Sequence, residues 1–235
     1  MFPWKNRIAP LVLACALAAG PAAPASAGVG DLLVAPKRIV LDGRRGTEIV
    51  LNNIGDEPAT YRISVEFRRM TPEGSLVDVT DPTPLDQTAA DMIVYAPRRV
   101  TLAPHQPQSI RIAARPPQGL ADGEDRVHLL FRAVPPATPV APSDGEPVKG
   151  LHLQLIPIYG VTIPVIVRLG NLQVKAAIAN VALEKKDGKP SIGLDLSRSG
   201  SRSTFGDVRV LKPGVKDPIA LQTAVAVYTE LGSRP

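Results

Sequence analysis

The segment TYRISVEFRR, residues 60–69, alternates apolar and polar side chains one for one. In an extended chain Tyr61, Ile63, Val65 and Phe67 fall on one side and Arg62, Ser64, Glu66 and Arg68 on the other. That period of two belongs to a strand with one buried face, because a helix would scatter the same residues around its circumference. Similar short runs follow one another: LLVAPKRIVL (32–41), TEIVLNNI (47–54), MIVYAPRRVTL (92–102), QSIRIAARP (108–116), RVHLLFRAVPP (126–136) and LHLQLIPIYGVTIPVIVRL (151–169). Gly, Pro and Asp clusters separate them at the spacing of a β-sandwich. No segment sustains the i, i+3, i+4, i+7 apolar pattern over three turns, and 25 prolines oppose long helices. The chain reads as all-β.

Residues 1–27 place Lys5 and Arg7 before an apolar run from Ile8 to Ala19 and end on Ala25-Ser26-Ala27. This is the charged, apolar and small-residue order of a secretory signal, so the mature chain is expected to begin at Gly28. The apolar run is shorter than the roughly 20 residues that span a bilayer. Cys15, the only cysteine, lies inside that signal, which leaves a mature chain without disulfides or thiolate metal sites. The expected compartment is the periplasm. Loss of Lys5 and Arg7 lowers the formal charge from +5 to +3. The remaining cations are scattered among acids, so no nucleic-acid partner is expected. The Arg/Ser piece SRSGSRSTFG (197–206) reads as ordinary turn sequence and not as a phosphate loop.

Residues 28–168 form a first immunoglobulin-like sandwich in this reading, 169–171 a linker, and 172–235 a second set of strands. The second set, at 64 residues, is short of the roughly 100 typical of such a sandwich and is expected to be a partial domain. The fold class is therefore two consecutive immunoglobulin-like β-sandwiches, the second incomplete.

Three local pieces carry a resemblance to a known family. KRIVLDG (37–43) sets two cations before a strand and a turn; GEDRVHLLFRAVPP (123–136) carries Asp125, Arg126, Phe131, Arg132, Pro135 and Pro136; and residues 151–168 make a long strand with an unbroken apolar odd-numbered face. With the export signal, these pieces resemble the PapD-like periplasmic chaperones of chaperone–usher pilus assembly. The resemblance implies that Arg38 anchors the C-terminal carboxylate of a secreted pilin-like subunit. A guanidinium suits that task because its planar fork meets a carboxylate at two points. It also implies that Leu151, Leu153 and Leu155 complete the subunit's own sandwich by donor-strand complementation.

Two features bear on that implication. A strand of the length of 151–168 would extend about 60 Å at about 3.3 Å per residue, more than one sandwich uses. The family's second-half lysine is absent, since Pro164 or a neighbour stands there, which leaves Lys37 or Arg168 as candidates for a second cation. Pro157 and Pro164 point to an edge strand with a bulge. GEDRVHLLFRAVPP is given an architectural role only.

The resemblance further implies an outer-membrane usher and self-association through the exposed strand. No cofactor and no metal are expected. The motifs of zinc proteases, serine hydrolases and P-loop enzymes are absent, and His105, His128 and His152 stand singly, so no enzymatic activity is expected. The rival reading is an exported structural or adhesive module whose odd face of residues 151–155 is already covered by its own fold.

Overall fold

The structure is a computed structural model that describes residues 31–135 and 158–235. The first of these stretches begins with β1 (Leu32–Ala35) and β2 (Ile39–Leu41), separated by Pro36, whose missing N–H interrupts the ladder. β3 (Thr47–Asn53) and β4 (Ala59–Glu66) follow, then the short pair β5 (Arg68–Met70) and β6 (Leu76–Asp78). One helix, α1 (Pro84–Asp91), precedes β7 (Ile93–Ala96), β8 (Arg99–Leu102), β9 (Pro107–Ala114) and β10 (Gly123–Val134). After residue 157 come β11 (Gly160–Leu169), β12 (Val174–Lys186), β13 (Lys189–Gly200), β14 (Thr204–Val210), β15 (Ala220–Val227) and β16 (Ser233–Arg234).

Two sheets of the order β1-β3-β9-β7 and β2-β11-β10-β4-β8 stack face to face. Ile49, Leu51, Ile110 and Ile112 from the first meet Tyr61, Ile63, Leu129, Phe131, Ile163 and Val165 from the second in one buried core. The alternation in TYRISVEFRR is realised in β4: Tyr61 and Ile63 are buried, while Arg62 between them is exposed. Residues 32–41 serve both sheets, β1 pairing antiparallel with β3 and β2 pairing parallel with β11.

α1 is the one short helix among the described residues, and it has a local cause. Thr83 caps it by accepting from the Asp86 N–H at 3.2 Å, and the Asp86 carboxylate accepts from the Thr83 N–H at 2.8 Å, with Pro84 in the first turn. This reciprocal cap satisfies two otherwise orphaned donors. Eight residues lie below the three-turn pattern sought in the sequence.

β11 keeps an unbroken antiparallel register with β10, from Gly123↔Leu169 to Arg132↔Gly160. The bulge expected at Pro164 does not occur. β2 pairs with β11 only at residues 165–167, so Pro164 stands where the strand has a neighbour on one side, and a proline is tolerated there. The described part of the expected long strand is these ten residues; residues 151–157 lie outside the described part of the structure.

Beyond Gly170, whose φ of +78° turns the chain, β12-β13-β16 form one small sheet and β14-β15 another. β12 leaves Ile178, Val181 and Leu183 exposed, the last at 86 %. These strands meet the first sandwich through an apolar contact in which Met70 and Ile166 pack against Ala226 and Tyr228.

Candidate functional site

β11 presents two faces with different tasks. Ile163, Val165 and Val167 enter the core between the two large sheets, while Ile166 points the other way and packs under Tyr228. The even face of β11 thus opens onto the junction with the C-terminal strands, and so does the β2 residue in register with it, because Val40 lies opposite Ile166. Arg38, two residues earlier on the same side, reaches this junction.

There its guanidinium carbon lies 4.5 Å from the centre of the Phe205 ring and 5.7 Å from that of Tyr228. Both are cation–π distances. Its nitrogens make long contacts of 3.5 Å to the Tyr228 hydroxyl and 3.4 Å to Ser203 Oγ. Among the described residues no carboxylate lies within ion-pair distance of Arg38. Burial, seconded by the charge of Arg168, lowers its pKa from the ordinary arginine value, with Tyr228 and Glu124 opposing. Arginine nevertheless remains protonated. A half-buried cation is therefore held between two rings without an acid of its own among the described residues.

Arg168 approaches the same serine from β11. Its Nε donates to Glu124 Oε2 at 2.8 Å, and its Nη2 lies 3.3 Å from both the carbonyl oxygen and Oγ of Ser203. Glu124, whose side chain is 1 % exposed, accepts the Ser203 N–H at 3.0 and 3.1 Å through its two oxygens. Arg168 is thus charge-balanced, and among the described residues Arg38 is not. Of the two residues proposed to replace the absent lysine, Arg168 reaches the junction, and Lys37 is exposed.

A second clasp crosses the same junction. Arg126 of β10 lies 3.6 Å from the centre of the Tyr228 ring, donates to the Arg68 carbonyl at 2.9 Å and forms a two-pronged ion pair with Glu230. Glu230 also accepts the Met70 N–H at 2.8 Å. Burial would raise the Glu230 pKa, but the Arg126 bonds and charge and the Met70 N–H outweigh it and hold it below the usual carboxylate value. Arg126, read from sequence as architectural, is a tie between the two sets of strands. Beside it His128 is 1 % exposed with neither ring nitrogen bonded, and burial together with Arg126 and Arg68 depresses its pKa to about 3.

Of the residues singled out in the sequence, Arg38 stands in this site, while Leu151, Leu153 and Leu155 fall outside the described residues. Ser203, Phe205, Tyr228 and Glu230 were not anticipated. Ser203 and Phe205 lie in the SRSGSRSTFG stretch taken for plain turn, and only their packing against Arg38 distinguishes them. Nothing in the sequence spacing pointed to them.

No protein-family model and no curated protein matches the chain. Among solved structures it is similar to a chaperone–tip adhesin complex described as vital for activation of CFA/I fimbriae biogenesis. That pair is 14 % identical, has a TM-score of 0.48, and covers 85 % of this chain and 82 % of the other. It is also similar to the class 5 fimbriae chaperone CfaA, at 14 % identity, a TM-score of 0.46 and coverage of 86 % and 83 %. The E. coli chaperone DraB is a third, at 16 % identity, a TM-score of 0.44 and coverage of 88 % and 86 %.

Proposed function

We propose that this protein is an exported chaperone that holds secreted pilin-like subunits by their C-terminal carboxylate and by added-strand pairing. The observation that carries the reading is Arg38: a charged group kept half-buried between Phe205 and Tyr228, beside two hydroxyls, with no acid of its own among the described residues. Burying an uncompensated charge costs stability, and the cost is recovered when an external carboxylate arrives. A charge-assisted bond there contributes roughly 1.5–3 kcal/mol. Ser203 Oγ and the Tyr228 hydroxyl stand ready to donate to the same carboxylate, and Arg168 adds positive potential without giving up Glu124.

The strand arrangement supports the second half of the reading. Between Gly160 and Pro164, β11 pairs with β10 on one side only among the described residues, so its other edge offers free backbone groups beside the carboxylate site. A subunit strand aligned there would run into Arg38 with its terminus, and Leu151, Leu153 and Leu155 would extend the same edge with apolar side chains. The periplasm, where such subunits travel, is the proposed compartment. An outer-membrane usher and dimerisation through this edge belong to the same proposal. In the structural-module reading Arg38 would be paired internally, yet Glu124, the acid whose charge it feels, is taken up by Arg168 and Ser203.

The test is binding of a synthetic pilin-type C-terminal strand, prepared with a free carboxylate and with a terminal amide. The carboxylate form is expected to bind roughly tenfold more tightly, in line with one charge-assisted bond, and Arg38→Ala is expected to erase that preference. Equal binding of both forms to the unaltered protein would sink the proposal. Leu153→Glu is expected to abolish capture of a whole subunit while the chain stays folded; loss of folding would favour the self-covered reading of that strand.

A further inference from the structure

The face of the five-stranded sheet that carries Arg38 and Arg168 at one end carries a different cationic group at the other. In β4 and β10 Arg62 and Arg132 are directly opposite, and in β4 and β8 Arg62 and Arg99 are directly opposite. All three alternate with buried neighbours (Tyr61 and Ile63, Phe131 and Ala133, Val100), so they share the outward face, and all three are exposed. Strands lie about 4.8 Å apart, so the three residues stand side by side across a width of about 10 Å of the sheet. Among the described residues none of the three has a carboxylate within ion-pair distance.

Like charges placed directly opposite on one sheet face destabilise it. The acids that share this face on β4 and β10 are already engaged. Glu66 accepts from Arg68 and Thr162 at 2.8 and 2.9 Å, and Glu124 holds Arg168 and Ser203. The row is therefore uncompensated by its own sheet, and it stands apart from the Arg38 site, Arg132 lying eight residues along β10 from Glu124. Its neighbours along the strands are Thr60, Thr101 and Val134 on one side, the two threonines joined by a 2.8 Å hydroxyl contact, and Ser64, Leu130 and Thr162 on the other.

We infer that Arg62, Arg99 and Arg132 form a docking surface for an acidic segment of a partner protein, separate from the carboxylate anchor. Charge complementarity selects the occupant: a row of planar forks at strand spacing matches several carboxylates presented along one extended segment, each met bidentately. A lipid surface would be gripped by exposed apolar or aromatic anchors beside the cations, whereas the two apolar flanking residues, Leu130 and Val134, are partly buried and the other four carry hydroxyls. Glutamates on an acidic strand laid across β10, β4 and β8 would relieve the repulsion that the free protein carries.

The experiment is fluorescence anisotropy of a labelled, C-terminally amidated hexaglutamate at about 20 mM salt, where screening is weak. Hexalysine serves as the control, and cosedimentation with phosphatidylglycerol vesicles runs in parallel. Binding of hexaglutamate is expected to weaken at least tenfold in the R62Q/R99Q/R132Q variant and to stay within about twofold in Arg38→Ala, since the amidated peptide bypasses the anchor. Failure of this surface and failure of the Arg38 reading are thereby told apart. The triple variant is also expected to melt a few degrees higher, because the row opposes folding. Hexaglutamate that fails to bind, or binds the triple variant equally, overturns the inference. So does a lower melting temperature in the triple variant, which would make the arginines structural. Sedimentation with vesicles in the absence of peptide binding would reassign the face to lipid.

Discussion

His128 shows most directly how one side chain senses its surroundings. It is buried with both ring nitrogens unbonded, between Arg126 on its own strand and Arg68, with Glu66 opposite on β4, Pro164 opposite on β11 and Glu230 beyond Arg126. Burial and the two cations keep it neutral, with a pKa of about 3. The unfolded chain takes up a proton near pH 6.5 and the folded chain does not until about pH 3. Between those values the unfolded state binds more protons, so stability falls as pH falls. The loss is at most about 1.4 kcal/mol per pH unit for one group. Urea midpoints measured from pH 6.5 to 4.5, above the range where carboxylates dominate, are expected to decline in the unaltered protein and to flatten in His128→Leu. An equally steep decline in the variant would place the acid sensitivity elsewhere. Arg38 is the complementary case at this scale: its charge persists at every relevant pH, so in the proposed function its contribution would depend on what carboxylate reaches it.

At the scale of elements, the loop between β13 and β14 and the segment after β15 bring the missing partners to the site. Gly200 ends β13 at φ +112°, and a Cβ there would stand 2.4 Å from the carbonyl oxygen of Gln173. The Ser201 N–H donates to that same carbonyl at 2.9 Å, which fixes the start of the loop that delivers Ser203. Gly200→Ala is expected to cost roughly 1–3 kcal/mol and to loosen the Ser203 contacts with Arg38 and Arg168. Chemical denaturation reads the first effect and carboxylate-peptide binding the second. An alanine variant with unchanged stability would show that the loop adapts. The Arg/Ser stretch read as plain turn is instead the end of β13 and the start of β14, with only residues 201–203 turning between them, and Ser203 and Phe205 come to Arg38 because of where that short connection lands.

Over the whole molecule, the Arg126–Glu230 clasp and the Met70, Ile166, Ala226 and Tyr228 contact join the two sets of strands. Side-chain exposures of 9 % for Arg126 and 18 % for Glu230 place the pair largely out of water. Glu230→Ala strands the guanidinium and the Met70 N–H together and is expected to destabilise by about 3–5 kcal/mol. Arg126→Met combined with Glu230→Leu should recover a good part of that loss, because replacing both charges removes the desolvation cost. Urea unfolding of both variants measures it. A double variant no more stable than the single would mean that the clasp contributes orientation that apolar packing does not replace. Glu230 also sets a pH limit of its own: its depressed pKa contributes stability above the ordinary carboxylate range, lost as pH falls through the folded value.

How much of this was legible follows from the range of each interaction. The alternation in residues 60–69, the proline punctuation and the spacing of the runs depend on neighbours within a few positions, and they determined an all-β chain and which side of a strand such as β4 is buried. KRIVLDG determined that a guanidinium would stand at the head of a strand. The Thr83–Asp86 cap was equally local, though eight residues gave it no apolar period to be seen by. The partners of Arg38, by contrast, lie 165 and 190 positions away, and Glu230, the ion-pair partner of Arg126, lies 104 away. Sequence spacing carries no information about such pairs, since their approach depends on β2 joining β11 in parallel and on the even face of β11 being covered by the strands that follow it. The row of Arg62, Arg99 and Arg132 was decided in the same way: each is an ordinary exposed strand residue in the sequence, and only the register of three strands makes them one surface.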